Sequence, residues 1–553
     1  MMSSSLKNWF ASGKPYIWLN AGAVTVSVTM VVALIILIAS RGLGHFWPAN
    51  IAVFDYYPEP DAAPVTLMGE YVDEETVSRT RVGNISYDVD PVTRYLIKTG
   101  NRDVYGLDFR WVLGAGIKNE RYPEDATIIE RREWGNLHGT IKSIALENET
   151  VTDTKRLWPV FKETVDRSNE IFAEIRHIEK NLIGGINYKM ERLRLKERGL
   201  ELKGDKTEAA VAELDAERQA LQDEYNSYTD QLAALYEELE KPTFTVTLAG
   251  GNEKKSRFAT VVRAYRPNSM GVMQKLGFYF EKLWEFLSDE PREANTEGGI
   301  FPAIFGTVMM VIIMSIMVTP FGVVAAVYLR EYAKQGPFTR LVRIAVNNLA
   351  GVPSVVYGVF GLGFFVYFLG GNIDQLFYKE SLPAPTFGTP GLMWASLTLA
   401  ILTVPVVIVA TEEGLSRVPR AIREGSLALG ATKAETMWRT VLPMTASAMI
   451  TGLILAVARA AGEVAPLMLV GVVKLAPSLP LDLNAPFLHL DRKFMHLGFH
   501  IYDVGFQSPN VEAARPLVYA TALLLVILII VLNLTAIRIR NSLREKYRAA
   551  EQG

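Results

Sequence analysis

The chain has no cysteine. Disulfides, zinc–thiolate sites and thiol nucleophiles are thereby excluded, and any part outside a membrane has to hold together by packing alone. A strong charge of either sign is also missing. Lys and Arg number 57 against 59 Asp and Glu, a formal net charge of −2 over 553 residues. A nucleic-acid binder would carry a clustered basic face, so no nucleic-acid partner is expected. No G-x4-G-K-[S/T] phosphate loop occurs: neither Ala249-Gly250-Gly251 nor Gly204-Asp205-Lys206-Thr207 fits the spacing. The chain is therefore not expected to hydrolyse ATP by that route, to act as an enzyme, or to hold a cofactor.

What is present is apolar sequence in blocks. Six runs are long enough to cross a bilayer, which takes about 20 apolar residues: residues 17–39, 300–329, 341–368, 392–410, 446–473 and 516–537. The first lacks a small-residue cleavage site and is too long for a signal core, so it reads as an uncleaved anchor. Lys7 and Lys14 precede the first run. Arg330, Lys334, Arg340 and Arg343 lie around the second junction. Arg417, Arg420, Arg423, Lys433 and Arg439 separate the fourth run from the fifth, and Arg538, Arg540, Arg544, Lys546 and Arg548 follow the sixth. With six spans, all four basic segments fall on one side, which places both termini (1–16 and 538–553) in the cytoplasm.

The opposite side then receives an insert, residues 40–299. Short alternating runs such as TLMGEYV, RYLIKTG, VYGLDFRWVL, TFTVTLAG and FATVVRAYRP read as strands. Between them, about 153–240, the pattern turns helical. Val211, Leu214, Leu221, Tyr225, Tyr228, Leu232, Leu235 and Leu239 sit at heptad a and d positions, with Arg218 as the exception. Phe172, Ile175, Leu182, Ile186, Met190 and Leu193 mark an earlier arm, weakened by Gly184-Gly185, and Gly204-Asp205 offers a turn. The expectation is an antiparallel coiled-coil hairpin inserted in a β-rich domain, either a scaffold or a docking surface. Residues 271–288, amphipathic and aromatic, are expected to lie on the outer membrane surface.

Three segments carry chemistry. Residues 423–443 (REGSLALGATKAETMWRTVLP) form a polar, helical stretch between two spans, which has no lipid to face and must contact something in water. Glu424 is followed by the small Gly425 and Ser426, by Gly430 at a turn or close approach, and by Leu442-Pro443, where Pro443 is expected to end the segment. In the fifth span, ARAAGEVAPL places Arg459 and Glu463 four residues apart on one helix face. Charges within a span are costly and face a cavity or each other, so the pair is either an anion-path element with its holder or a structural salt bridge. In the third span, Asn347, Asn348, Ser354 and Tyr357 are polar while Gly351 and Pro353 interrupt the helix. Discontinuous helices turn backbone dipoles into a cavity, which suits an anion, although small residues in spans also serve plain packing. His496 and His500, near Asp491 and Asp503, are read as part of an amphipathic loop helix at the outer mouth, without metal.

GGIFPAIFGT, LAGVPSVVYGVFG, the 423–443 segment, ARAAGEVAPL and the terminal VLNLTAI together resemble the PstA-type permease subunit of the bacterial phosphate ABC importer. The resemblance covers residues 298 to the C-terminus and the first span; the insert resembles an extra region of a long-form subset. It implies a mainly α, six-helix, type I importer permease in the inner membrane with an α+β periplasmic insert, the permease core over 300–537 and its coupling loop over 412–445. It implies as partners a PstC-like second permease, a PstB-like ATPase dimer using ATP-Mg, and a periplasmic phosphate-binding protein. Glu424, Gly425, Ser426, Gly430, Leu442 and Pro443 would contact the ATPase, and Arg459, Glu463, Asn347, Asn348, Ser354 and Tyr357 would line the phosphate path. Glu424-Gly425-Ser426 departs from the family's Glu-Ala-Ala. A permease for another oxyanion, such as sulfate or molybdate, and a membrane scaffold or phosphate-signalling subunit are the alternatives.

Overall fold

The computed structural model describes residue 9 and residues 11–82, 87–508 and 511–552. Lys7 lies outside them. Six helices among the described residues are long and apolar enough to cross a membrane: Tyr16–Gly44, Phe301–Tyr332, Ser354–Phe377, Leu392–Arg417, Lys433–Ala461 and Ala514–Ser542. We number them as the first to sixth spans.

The fourth span is the axis of the bundle. It packs on the second and fifth, and glycines bring the backbones together. A side chain at Gly322 would stand 2.6 Å from Val407 Cγ1, one at Gly414 2.5 Å from Ala448 Cβ, and one at Gly452 2.7 Å from Ala410 Cβ. Lipid tails are as apolar as leucine, so helices in a bilayer associate through such close approach rather than through hydrophobic burial. The first span lies apart from this core and meets the sixth where Gly42 faces the Ala520 backbone.

Two boundaries differ from those read in the sequence. The third apolar run is not one helix from 341. Helix Pro337–Leu349 ends at a break, and the third span starts at Ser354. Pro353 has no N–H to give and disfavours helical backbone at Val352, so the interruption follows from the sequence. The fifth span begins at Lys433, not near 446, and stops at Ala461. Pro443 does not end the preceding segment. It sits in the first turn of helix Leu442–Ala461, directly after a π turn, Met437–Val441. The wider turn leaves room for the proline ring, and the chain stays helical through it. The stretch expected as a C-terminal tail is helical to Gln552.

Among the described residues the insert holds two large antiparallel sheets and a small two-stranded one, Pro291–Arg292 with Glu297–Gly298. Strands β1 (Ile51–Tyr56), β2 (Val65–Val77), β3 (Val92–Lys98), β4 (Phe109–Leu113) and β5 (Ile117–Arg121) form the first, in the order β4-β3-β2-β1-β5. Residues 104–108, expected as strand, are instead the end of a helical turn and a bend. Strands β6 (Thr127–Arg131), β7 (Leu137–Ala145), β8 (Thr150–Val151), β9 (Thr243–Thr247), β10 (Glu253–Arg257) and β11 (Val261–Tyr265) form the second, ordered β10-β9-β7-β6-β11 with β8 beside β7. Alternation along β1 splits its side chains: Ile51 and Val53 join a core with Ile128 of β6, while Ala52, Phe54 and Tyr56 pack with Leu67 and Ile97.

Helices interrupt the second sheet between β8 and β9, although β7 and β9 pair directly. The first arm, Thr154–His177, continues through a π turn (Ile178–Ile183) into Gly184–Lys203. Gly204, at φ 77°, makes the left-handed turn, and Glu208–Glu240 returns. Ile171 and Ile175 pack with Leu239, and Ile186 and Leu193 with Leu214 and Leu221, so the arms run antiparallel. Arg218, the exception in the apolar seam, pairs across it with Glu197 at 2.8 Å. Partway along the first arm, Tyr188 donates to the Ala485 carbonyl, and its ring stands edge-on to His489. The hairpin thus rests on a loop between the fifth and sixth spans.

Helix Val272–Ser288 joins the insert to the bundle. One face exposes Met273, Phe280 and Trp284; the other buries Phe278, Glu285 and Phe286. Glu285 touches Lys282 (3.0 Å), Arg263 (3.0 Å) and Arg292 (2.8 Å), and Glu130 of β6 touches Lys282 (2.8 Å). Burial works against the Glu130 carboxylate, but Lys282, Arg263 and Arg292 outweigh it and hold its pKa well below the usual range. Beyond this network, Glu293 accepts from the Trp134 and Gly135 amides at 3.0 and 2.8 Å, and Asn295 donates to the Lys474 carbonyl at 2.7 Å. The insert is fastened to the start of the second span and to the loop after the fifth.

Candidate functional site

One break precedes the third span (350–353) and another follows the fifth (462–466), and the first turns of the third span pack against the second break. After Leu349 the chain makes two tight turns, Gly351 N–H to Asn348 O (3.0 Å) and Val352 N–H to Leu349 O (3.2 Å), before Pro353 opens the next helix. Tyr357, one turn in, reaches back and donates its hydroxyl to the Leu349 carbonyl at 2.6 Å. That bond clasps the two halves and gives the Leu349 carbonyl a second donor besides the Val352 amide. Ser354 is half-buried beside it, while Asn347 and Asn348 face outward on the other side of the break.

The fifth span ends at Ala461, and Gly462-Glu463 turn away from it. Glu463 therefore lies beyond the helix, not on its face as the spacing predicts, because Gly462 ends the helical run. The Arg459–Glu463 contact survives the turn at 3.7 Å, with both side chains partly exposed, at 33% and 21%. This is a charge contact, longer than a hydrogen bond. Tyr357 packs in one cluster with Val457, Ala460 and Ala461, and Arg459 lies close enough to act on it electrostatically. A side chain at Gly358 would stand 2.7 Å from Pro466 Cα, and one at Gly361 2.3 Å from Thr398 Oγ1. The structure thus brings Tyr357, Arg459 and Glu463 together. Gly358, which lets the third span approach the turn after the fifth, was not singled out in the sequence.

At one end of the bundle, residues 418–432 connect the fourth and fifth spans. Helix Arg420–Ala428 follows Pro419, and Gly430, at φ 88°, takes the left-handed conformation that favours glycine. Thr432 caps the next helix in a reciprocal pair with Glu435: its hydroxyl accepts from the Glu435 amide, and its own amide donates to the Glu435 carboxylate at 2.9 Å. The segment T-x-x-E carries this capping signature in the sequence. Ser426 and Thr436 hydroxyls meet at 2.9 Å across the turn. Glu424 and Gly425 are exposed, and a side chain at Gly425 would meet nothing within 4 Å. Leu442 is buried against the bundle and Pro443 half-buried. Leu429, by contrast, is 91% exposed at the apex. Arg423 ties the segment to the second span through Glu331 at 3.0 Å and to the Leu415 carbonyl at 2.7 Å. No pattern in the sequence joins Glu331 to Arg423.

At the opposite end the loop contains a helix, Leu497–Tyr502, which packs into the bundle. His496 caps helix Leu497–Tyr502, and both His496 and His500 are buried between the second and sixth spans, where Leu497 N–H donates to Thr307 Oγ1 at 2.9 Å. Burial pushes both imidazoles down, to about 3 and about 4. Among the described residues, no group of three or more His, Asp and Glu is placed to hold a metal ion.

Residues 318–548, which contain both breaks and the connecting segment, match the family of binding-protein-dependent transport system inner membrane components. A phosphate transport system permease protein PstA from Mycobacterium leprae is 35% identical over 206 residues, 36% of this chain and 62% of its own length, so the chain spans somewhat less than two thirds of that relative. PstA 1 of Mycobacterium tuberculosis is 33% identical over 250 residues, 44% of this chain and 71% of its own length. Among solved structures, the inward-facing methionine ABC transporter MetNI is similar over 44% of this chain and 94% of its own, at 17% identity and a TM-score of 0.32, a likeness that carries no argument. The family and the six apolar helices make this a multi-pass inner-membrane protein. The chain belongs to the PstA-type permease subunits of phosphate ABC transport systems.

Proposed function

We propose that this chain forms one half of the membrane pathway of an ATP-driven importer of inorganic phosphate. The observation that carries the proposal is the packing of the third span against the turn after the fifth, beside Arg459. Phosphate entering a bilayer loses hydration, and an oriented cation offsets that loss. Arg459 is held by Glu463 through a contact of 3.7 Å, long enough to yield to a competing anion. In this reading Glu463 takes the guanidinium back when phosphate leaves, and Ser354, Asn347 and Asn348 flank the path.

The 418–432 connection faces the cytoplasm with both termini, and Leu429, Glu424 and Gly425 enter a cleft of a separate ATPase dimer that uses ATP-Mg. Arg423 and Glu331 then pass its motion to the second span. A second, PstC-like permease completes the pathway, and a soluble phosphate-binding protein delivers cargo on the insert side. The footing of Tyr188 on Ala485 and His489 supports a bracing role for the hairpin at the entrance.

Replacing Arg459 by Ala tests the pathway. The expected outcome is loss of labelled phosphate uptake with an intact purified complex; wild-type uptake in that variant would make the pair structural. Deleting residues 153–240 tests the brace, with reduced uptake but unchanged copurification of the ATPase as the expected result.

A further inference from the structure

At the end of the bundle that bears the 418–432 connection, the turn between the second span and helix Pro337–Leu349 encloses a cleft of about 260 Å³ lined by Gln335, Gly336, Pro337, Arg340 and Arg343. No carboxylate lines it. Arg343 Nη2 touches Glu412 at 3.2 Å, but its Nε is buried and has no acceptor. Arg340 is exposed and makes no ion pair among the described residues. The helix that starts here has no side-chain cap and no acidic residue in its first turn. The cleft therefore holds the unpaired guanidinium of Arg340 and, behind it, that of Arg343, which is paired with Glu412 and whose buried Nε–H has no acceptor. Directly beside it, on the same helix, Phe338 and Leu341 are 76% and 63% exposed.

Guanidinium groups match the oxygens of a phosphate in pairs, and basic pockets at the ends of membrane helices take lipid headgroups. The apolar flank distinguishes a lipid from a free anion: free phosphate would use the cations and leave Phe338 and Leu341 in water. We propose that this cleft binds the phosphodiester headgroup of an anionic phospholipid, with the exposed Arg340 guanidinium as its donor, the positive field of Arg343 behind it, and an acyl chain along Phe338 and Leu341. The site touches the transmission elements, because Arg343 also holds Glu412 of the fourth span, and Glu331 of the neighbouring second span holds Arg423. It requires that the chain span a membrane, and not that its cargo be phosphate.

The test is native mass spectrometry of the purified complex after exchange into bilayer nanodiscs of equal phosphatidylglycerol and phosphatidylcholine, paired with thermal unfolding on addition of each lipid or of inorganic phosphate. Wild type is expected to retain one tightly held phosphatidylglycerol per copy of this chain, and Arg340→Glu to lose it, with apparent affinity falling roughly fivefold or more. Arg340→Gln should fall in the same direction, and serves should the charge reversal fail to assemble. Equal retention by wild type and both variants, no preference for phosphatidylglycerol over phosphatidylcholine, or a thermal shift by inorganic phosphate that Arg340→Gln removes as fully as it removes that of the lipid would overturn the assignment.

Discussion

In the insert, Glu285 is 6% exposed and in contact with three cations; in the bundle, Gly358 lies so close to Pro466 that a single methyl would not fit. The two regions cohere by different chemistry. The insert borders water, so it can bury paired charge, and its junction with helix Val272–Ser288 is a network of carboxylates and cations. The bundle is solvated by lipid, which gives no hydrophobic preference for helix over lipid contact, so its helices hold by closeness. The insert should therefore fail when charge changes, and the bundle when volume changes.

The largest effect is expected from Glu285→Ala, which strips Arg292 of its carboxylate and leaves Lys282 and Arg263 only Glu130 and Glu281. Breaking a buried ion network costs about 3–5 kcal/mol, and thermal unfolding or limited proteolysis should show the insert released while the spans stay folded. A variant as stable as wild type would remove the network from the comparison. The same network predicts a pH effect. Glu130 has a folded-state pKa below its ordinary 4.5, so its contribution is present above that value and is lost as pH falls through the lowered one. The Glu130 contribution should be constant near neutrality and be lost below about pH 4.5; burial pushes the His138 imidazole down to about 3, so insert stability should already begin to decline as pH falls through about 6.5.

Gly358→Ala comes next. Overpacking against the Pro466 backbone, 2.7 Å from the added carbon, is expected to cost about 1–3 kcal/mol and to separate the third span from the turn after the fifth. Uptake should fall with little loss of insert stability; equal uptake would show that the two need not touch. The same substitution at Gly425, where nothing stands within 4 Å, should leave the fold unchanged and slightly favour the helix. The smallest effects are single hydrogen bonds. Thr432→Ala removes one half of the reciprocal cap, and Tyr357→Phe removes the clasp on Leu349, each about 1 kcal/mol. The first should raise ATP hydrolysis uncoupled from uptake, the second lower uptake alone. Indistinguishable coupling ratios in the two variants would erase the distinction between the connection and the pathway.

Much of this was legible from residue order. Apolar runs of bilayer length and the Gly351–Pro353 interruption are local patterns, and local patterns survive folding. Boundaries at Lys433 and Ser354 were less so. A π turn absorbs Pro443 where proline is normally read as a stop, and a polar helix can continue into an apolar one without punctuation. Long-range partners were not legible at all. Glu331 with Arg423, Arg343 with Glu412, and Tyr188 with Ala485 join residues that share no spacing. The Arg459–Glu463 contact was found for a reason that does not hold, since Gly462 breaks the helix between them and the turn restores the contact.

In the proposed mechanism phosphate crosses where the third span meets the turn after the fifth. The most direct measurement is uptake of labelled phosphate into vesicles containing the purified complex, with ATP inside or outside and with sulfate and molybdate as competitors, for wild type and Arg459→Ala. ATP-dependent uptake that sulfate and molybdate do not reduce, and that Arg459→Ala abolishes without altering the chains that copurify, is the predicted result. Uptake equal in the two proteins, or phosphate uptake displaced by another oxyanion, would contradict it.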